Sequence, residues 1–195
     1  NPEGQPSKLL VHDIREGFHA LYSLVKYRNS QMAREIAESS ITTILDLWNP
    51  DSGWDTIRMQ NDHGVEFWDH PIKSLVYNLG RSVGPLVKYY RATRYGPALE
   101  LAIVLKEKLL SEIYLEDGSH DNDRFGTHSH STTCVTSSLA QLADLTQDSK
   151  LMNRVRAFYD NGLWTIRDEI GWSIEGSGPP DEDYPKGRNP DRGES

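Results

Sequence analysis

The chain has 195 residues, 36% hydrophobic and 26% charged, an ordinary globular composition with room for one well-buried domain. A formal net charge of -8 without any basic cluster excludes a nucleic-acid partner, because phosphates need a positive face. No run of about 18 apolar residues offers a membrane span and no segment has the Lys/Arg-rich face of a membrane-surface helix, while the lone Cys134 excludes an internal disulfide and a multi-cysteine zinc site.

The chain begins Asn1-Pro2-Glu3-Gly4 with neither a starting Met nor a signal-peptide pattern, which reads as a processed or trimmed product. Six helices are expected after that. The first covers Leu9 to Tyr27, with Leu10, Ile14, Phe18, Leu21 and Leu24-Val25 at helical spacing; Gly17 costs it about 1 kcal/mol. The second runs from Ser30 to Leu47 and stops at Asn49-Pro50. The third spans Ile72 to Thr93, where Pro85 should kink or split it. A fourth starts at Pro97, suited to a first turn, and ends at Tyr114. The fifth opens at Ser131 or Thr132 and closes near Thr146, and the sixth follows an Asp148 cap to about Ile166. Beta-branched alternation is nearly absent, so the class is all-α, with at most two-residue bridges in the loops.

The six helices form three repeats. Each second helix ends at a turn and a polar, aromatic-spotted loop: Leu47-Trp48-Asn49-Pro50-Asp51-Ser52-Gly53-Trp54, then Ile113-Tyr114-Leu115-Glu116-Asp117-Gly118-Ser119-His120, then Trp164-Thr165-Ile166-Arg167-Asp168-Glu169-Ile170-Gly171-Trp172. Placing Leu86 on Leu139 aligns Tyr89 with Leu142, Ala92 with Leu145, Thr93 with Thr146 and Ala98 with Leu151. A repeat of about 50 residues built from paired helices buries its apolar faces only by stacking on its neighbours. Residues 1–195 are thus one α/α-hairpin domain of about three hairpins. Small uncharged residues (Ser74, Gly80, Ser82, Gly84; Thr132, Thr133, Ser137, Ser138, Ala140) place the odd helices in an inner layer. Charges such as Lys106, Glu107, Lys108, Arg154 and Arg156 place the even ones outside, as in a curved array or a closed toroid. From Gly176 the sequence is rich in Gly, Pro and charge and stops at Arg192-Gly193-Glu194-Ser195, which reads as a third long loop of a longer polypeptide rather than a tail.

Polar density gathers just before the inner helices. Asp55 to His70 holds Asp62, His63, Glu66, Trp68, Asp69 and His70; Glu116 to His130 holds Asp117, His120, Asp121, Asp123, Arg124, His128 and His130; Asp168 to Ser195 holds Trp172, Glu175, Tyr184, Arg188 and Glu194. Carboxylates beside aromatic rings suit carbohydrate chemistry, in which one acid protonates the leaving oxygen and another activates water or attacks the sugar carbon. The acid–base candidates are Glu66, Asp69, Asp121 and Asp123, with His128 and His130. Candidate substrate contacts are Trp54, Trp68, His70, Arg124, Trp172 and Glu175. His128 and His130, two apart on an extended approach to a helix, point to one side. Zinc needs three or four such ligands and spacing supplies no third, so acid–base, hydrogen-bonding and structural roles stand ahead of a metal. No metal and no cofactor is expected, and Cys134 reads as a small core residue.

The repeated hairpins, the phrase Phe125-Gly126-Thr127-His128-Ser129-His130-Ser131-Thr132-Thr133-Cys134 and the phrase Ser138-Leu139-Ala140-Gln141-Leu142-Ala143-Asp144-Leu145-Thr146 resemble the six-hairpin glycosidase superfamily. That resemblance implies an (α/α)6 toroid of which three hairpins are half, and a carbohydrate substrate. Its arabinofuranosidase-like members use a cysteine-rich metal site, from which the single Cys134 departs. Its glucuronyl hydrolases use paired aspartates that no spacing here singles out. The leading expectation is a glycoside hydrolase on an oligo- or polysaccharide, uronic-acid-containing if Arg124 or Arg188 meets a carboxylate. The alternatives are a polysaccharide lyase, with His128 as base, and a helical-repeat binding module without chemistry.

Overall fold

Three two-residue links organise the chain. In the computed structural model, which describes residues 7–9, 11–67, 78–120, 129–165, 174–177 and 188–193, each link joins a left-handed residue to an extended one. Asn29 (φ 49°) precedes Ser30, Arg94 (φ 60°) precedes Tyr95, and Gln147 (φ 55°) precedes Asp148. The left-handed residue closes one helix, as the Arg94 amide does by donating to the Tyr90 carbonyl. The extended residue starts the next: Ser30 Oγ accepts from the Ala33 amide at 3.3 Å and Asp148 Oδ1 from the Leu151 amide at 2.9 Å. Links this short force antiparallel neighbours.

Helices α1 (Ile14–Arg28) and α2 (Gln31–Leu47) make the first hairpin. A short α3 (Thr56–His63) lies in the connection that follows. Helices α4 (Val83–Thr93) and α5 (Gly96–Glu112) make the second, and α6 (Ser129–Thr146) and α7 (Ser149–Ala157) the third, extended by a π turn at Phe158–Gly162 and a last helical turn at Leu163–Thr165. The aligned threonines behave alike: Thr93 Oγ1 donates to the Tyr89 carbonyl at 2.8 Å and Thr146 Oγ1 to the Leu142 carbonyl at 2.9 Å. The repeat is therefore physical, down to the hydroxyl that ties off two of the three inner helices, α4 and α6.

The hairpins stack side by side. Glu16 Oε1 lies 3.4 Å from Arg81 Nη2, and further along Arg91 Nη2 reaches Asp144 Oδ2 at 2.5 Å, so α1, α4 and α6 run parallel as an inner layer. Outside them α2 packs on α5, and the Tyr89 hydroxyl crosses the layers to donate to Glu38 Oε1 at 3.3 Å. The inner helices are close enough that a Cβ added at Gly84 would stand 2.6 Å from Ser138 Oγ. Residues from Leu79 to Val87 are buried throughout, and one apolar cluster runs from Phe18 and Ile41 through Leu86 and Leu105 to Leu139 and Phe158. The chain is all-α, with the layers in the expected order.

Some boundaries differ from the sequence reading. Ser7–Leu9 is a strand, β1, not the first turn of a helix. Trp48–Asn49 (β2) and Gly53–Trp54 (β3) form the short bridge expected of the loops, about an Asn49 side chain that accepts from the Asp51 amide at 2.8 Å. Val65–Phe67 (β4) pairs in parallel with β1, however, and Ile174–Ser177 (β5) pairs with Arg188–Gly193 (β6), so pairing exceeds two residues. The β1–β4 pair is not local in sequence, which is why alternation within one segment missed it. Where Pro85 is expected to kink or split the helix, the chain passes from a 3-10 turn to α4 two residues before it. Pro85 is the third residue of α4, where an amide would have no intrahelical acceptor anyway. A 3-10 turn at Leu79–Ser82 precedes it, and residues 72–77 of the expected helix lie outside the described residues. Helix α6 begins at Ser129, two residues early. Among the described residues no helix is long and apolar enough to cross a membrane.

Two predictions follow from the packing. Gly118 (φ 86°) presses on the Ala157 carbonyl, so Gly118→Ala combines a forbidden backbone with a clash and should lower unfolding free energy by more than about 2 kcal/mol in a urea titration. Burial first, then the Glu38 charge, push the Tyr89 phenol up to about 12, against about 10 in an unfolded chain. Below pH 10 both states hold the proton and the full contribution is present. Between pH 10 and 12 the unfolded state loses its proton first, so stability falls as pH rises; Tyr89→Phe should shrink that slope in denaturant melts across the window.

Candidate functional site

Parallel inner helices put their N-termini at one end, and each outer helix returns the chain to that end. The connections after α2, α5 and α7 therefore start on the same face of the array. Trp54 sits there on β3, opposite Trp48 in β2, where its ring is half-buried and packs partly on the core. That packing occupies part of the surface expected to meet sugar. Glu66 is half-buried on β4, in register with Lys8 of the strand that leads into α1. His130 is exposed in the first turn of α6. It stands on helix rather than on an extended approach, so the same-side argument that joined it to His128 does not hold. The backbone of Glu175 lies in β5, paired with Arg192, and β5 packs against α6. Trp68, Asp69 and His70, then Asp121, Asp123, Arg124 and His128, then Trp172, lie outside the described residues. Thus Trp54, Glu66 and His130 share one end of the array.

The same end holds a buried polar rim that composition alone did not single out. Arg81, in the 3-10 turn before α4, is only 2% exposed, and its guanidinium faces Glu16 of α1. Glu16 Oε1 also accepts from Arg15 Nη1 at 2.8 Å, so two cations share one carboxylate. Ser82, Ser129, Ser131 and Thr132 are buried beside them at the starts of α4 and α6. The Ser82 and Ser131 hydroxyls have no hydrogen-bond partner among the described residues, a local cost. Nearby His19 on α1 is held below its ordinary value, first by burial and then by Lys88 and Arg15. Arg81 and Arg15 thus bring two cations to this end, both paired with Glu16, beside helix N-termini and connections rich in carboxylates.

The second connection is anchored to this rim. Tyr114 is buried, and its hydroxyl donates to the Thr132 carbonyl at 2.9 Å while its own carbonyl accepts from Arg154 Nη1 at 2.7 Å. Its ring lies edge-on to Phe158 at 5.3 Å and tilted against the buried His120 at 5.9 Å. Ser119 donates through Oγ and amide to Asp117 Oδ1, holding that carboxyl below the usual range. Asn161 Nδ2 donates to the Asp117 carbonyl at 2.7 Å. The sequence signal for this anchor was the Asp117-Gly118 turn. Arg81 carried a weaker one, a single cation among small and apolar residues. Cys134 is half-buried on α6, and among the described residues no three His, Cys, Asp or Glu converge as a metal site requires.

Tyr114→Phe should cost about 1 kcal/mol in thermal or urea unfolding, the lower part of the buried range, because the Thr132 carbonyl keeps the Thr136 hydroxyl at 2.7 Å. No family model, no curated protein and no solved structure matches this chain.

Proposed function

We propose that the chain is a glycoside hydrolase, or part of one, acting on an oligo- or polysaccharide at the N-terminal end of the inner helices. The observation that carries this reading is the common end: three connections rich in carboxylates and aromatic rings start on one face, where Trp54, Glu66 and His130 stand. Hydrolysis would need one carboxyl among Glu66, Asp69, Asp121 and Asp123 to protonate the departing oxygen, and a second to activate water or attack the sugar carbon. His128 and His130 would line the cleft, and Trp54, Trp68, His70, Arg124, Trp172 and Glu175 would contact the sugar. A uronic-acid-containing substrate would place its carboxylate on Arg124 or Arg188. In this reading the three hairpins form half of an α/α toroid.

The test is single substitution of Glu66→Gln, Asp69→Asn, Asp121→Asn, Asp123→Asn, His128→Ala and His130→Ala, each assayed for glycan cleavage on a panel that includes uronate-containing polymers. Loss of a working acid or base should lower turnover by about 10²- to 10⁴-fold. Unchanged turnover in all six defeats the assignment. A product that absorbs in the ultraviolet from a saturated glycan would mean elimination rather than hydrolysis.

A further inference from the structure

The inner layer changes character along its length. Its loop end holds the Glu16 and Arg81 pair. Beyond that pair, residues 17–28 on α1 and 83–94 on α4 and its cap contain no acid at all, although the chain is acidic overall. They carry Lys26, Arg28, Lys88, Arg91 and Arg94 instead. Basic residues in a last turn answer the negative end of a helix, and Lys26, Arg28 and Arg91 stand there. Lys88 does not, because it lies more than a turn deeper in α4.

Lys88 is half-buried, yet it makes no hydrogen bond or ion pair among the described residues. It follows the fully buried Leu86 by two positions, about 200° round the helix, so it points away from the core. Its charge acts on two groups of α1. The His19 imidazole is held down first by burial and then by Lys88. The Tyr27 phenol is held down first by Lys26 and more weakly by Lys88. Lys88 therefore faces α1 across the groove between the two helices. On the α1 wall, Lys26 Nζ donates to the Tyr22 hydroxyl at 2.9 Å and sits over both neighbouring rings, 5.4 Å from the Tyr22 centroid and 5.0 Å from that of Tyr27. Tyr27 is 69% exposed, which leaves most of its ring open. An ammonium has three N–H donors. Lys26 spends one on Tyr22 and Lys88 spends none, so the groove is rich in donors. The acids of the inner helices are held elsewhere, Glu16 by Arg15 and Arg81 and Asp144 by Arg91.

We infer that the groove between α1 and α4 binds an acidic sugar of a polysaccharide, its carboxylate taken by Lys26 and Lys88 and its ring laid on Tyr27. The groove asks for a negative charge beside a face of C–H bonds, and a uronic acid carries both on one rigid ring. An acidic peptide brings the charge without the rigid face. A phosphate chain would approach a protein of net charge -8. A bound carboxylate also offsets the cost of a half-buried ammonium that no described acid pairs. The choice of polymer rests on the hydrolase reading. Lys26 lies about 15 Å along α1 from Glu16, so the groove is a second hold on that polymer and not the place of cleavage.

Isothermal titration calorimetry on the 195-residue chain tests it, with an oligogalacturonate as probe and neutral dextran and poly-glutamate of like length as comparators. The oligogalacturonate should bind at least about tenfold more tightly than either, and about 0.3 M salt should weaken it. Lys26→Met and Lys88→Met keep the aliphatic stem and remove the charge, and each should weaken binding about fivefold. Tyr27→Ala should weaken it by a similar factor, while Lys150→Met, exposed on α7, should leave it unchanged. Circular dichroism checks the fold, and the exposed Lys26 serves if the Lys88 variant unfolds. Three results would overturn the proposal: an oligogalacturonate bound no more tightly than dextran; poly-glutamate bound as well, which would mark charge alone; or binding indifferent to both lysine substitutions. Binding that persists in a chain inert toward every glycan counts against the hydrolase reading and leaves this site standing.

Discussion

A helical hairpin with a two-residue link can bury only one of its faces within itself, and everything else in this molecule answers to that limit. The other face of each pair must find a neighbour. The middle hairpin finds one on both sides, which is why the first half of α4, Val83 to Val87, is buried throughout although it holds Gly84 and Pro85 and follows Arg81. The small residues are there because α4 and α6 approach closely: Gly84 leaves room for Ser138, and a larger side chain at either position would push the inner layer apart.

The same stacking makes the loop end polar. Helix starts expose amides that no intrahelical carbonyl satisfies, and side-by-side starts concentrate them. Serines, threonines and one guanidinium fill that layer in place of hydrocarbon. The Tyr114 ring and hydroxyl then fasten the second connection to the start of α6 and to the end of α7, so one loop is tied to two helices where it begins. Gly118 completes the anchor by letting the backbone lie against Ala157. Rigidity of this kind is what a site built from loops requires.

Much of the fold was legible in advance. The alignment of Thr93 with Thr146 rested on texture alone, yet both hydroxyls bond the carbonyl four residues back, and both inner helices end in the same left-handed and extended pair. Local signals sufficed because helix ends are local events. Asp148 was a recognisable cap for the same reason. The strands β1 and β4 were not legible, since Ser7–Leu9 and Val65–Phe67 are brought together only after α1 and α2 have packed. Helix α3 was missed although Asp55 caps it through the Arg58 amide, because the surrounding polarity read as loop. Of the candidate site, Trp54, Glu66 and His130 share an end as the repeat implied, but Trp54 spends part of its ring on the core, which no spacing could reveal.

The sequence by itself determined the helix periods, the links and hence the three antiparallel pairs, because propensity, capping and periodicity act over a few residues. Only the tertiary structure decided which polar groups are buried. Arg81 became an interior cation, and Glu16 its neighbour 65 residues away in the chain, through the stacking of two hairpins. The charge of a side chain is written in its name, but its solvation depends on what packs over it.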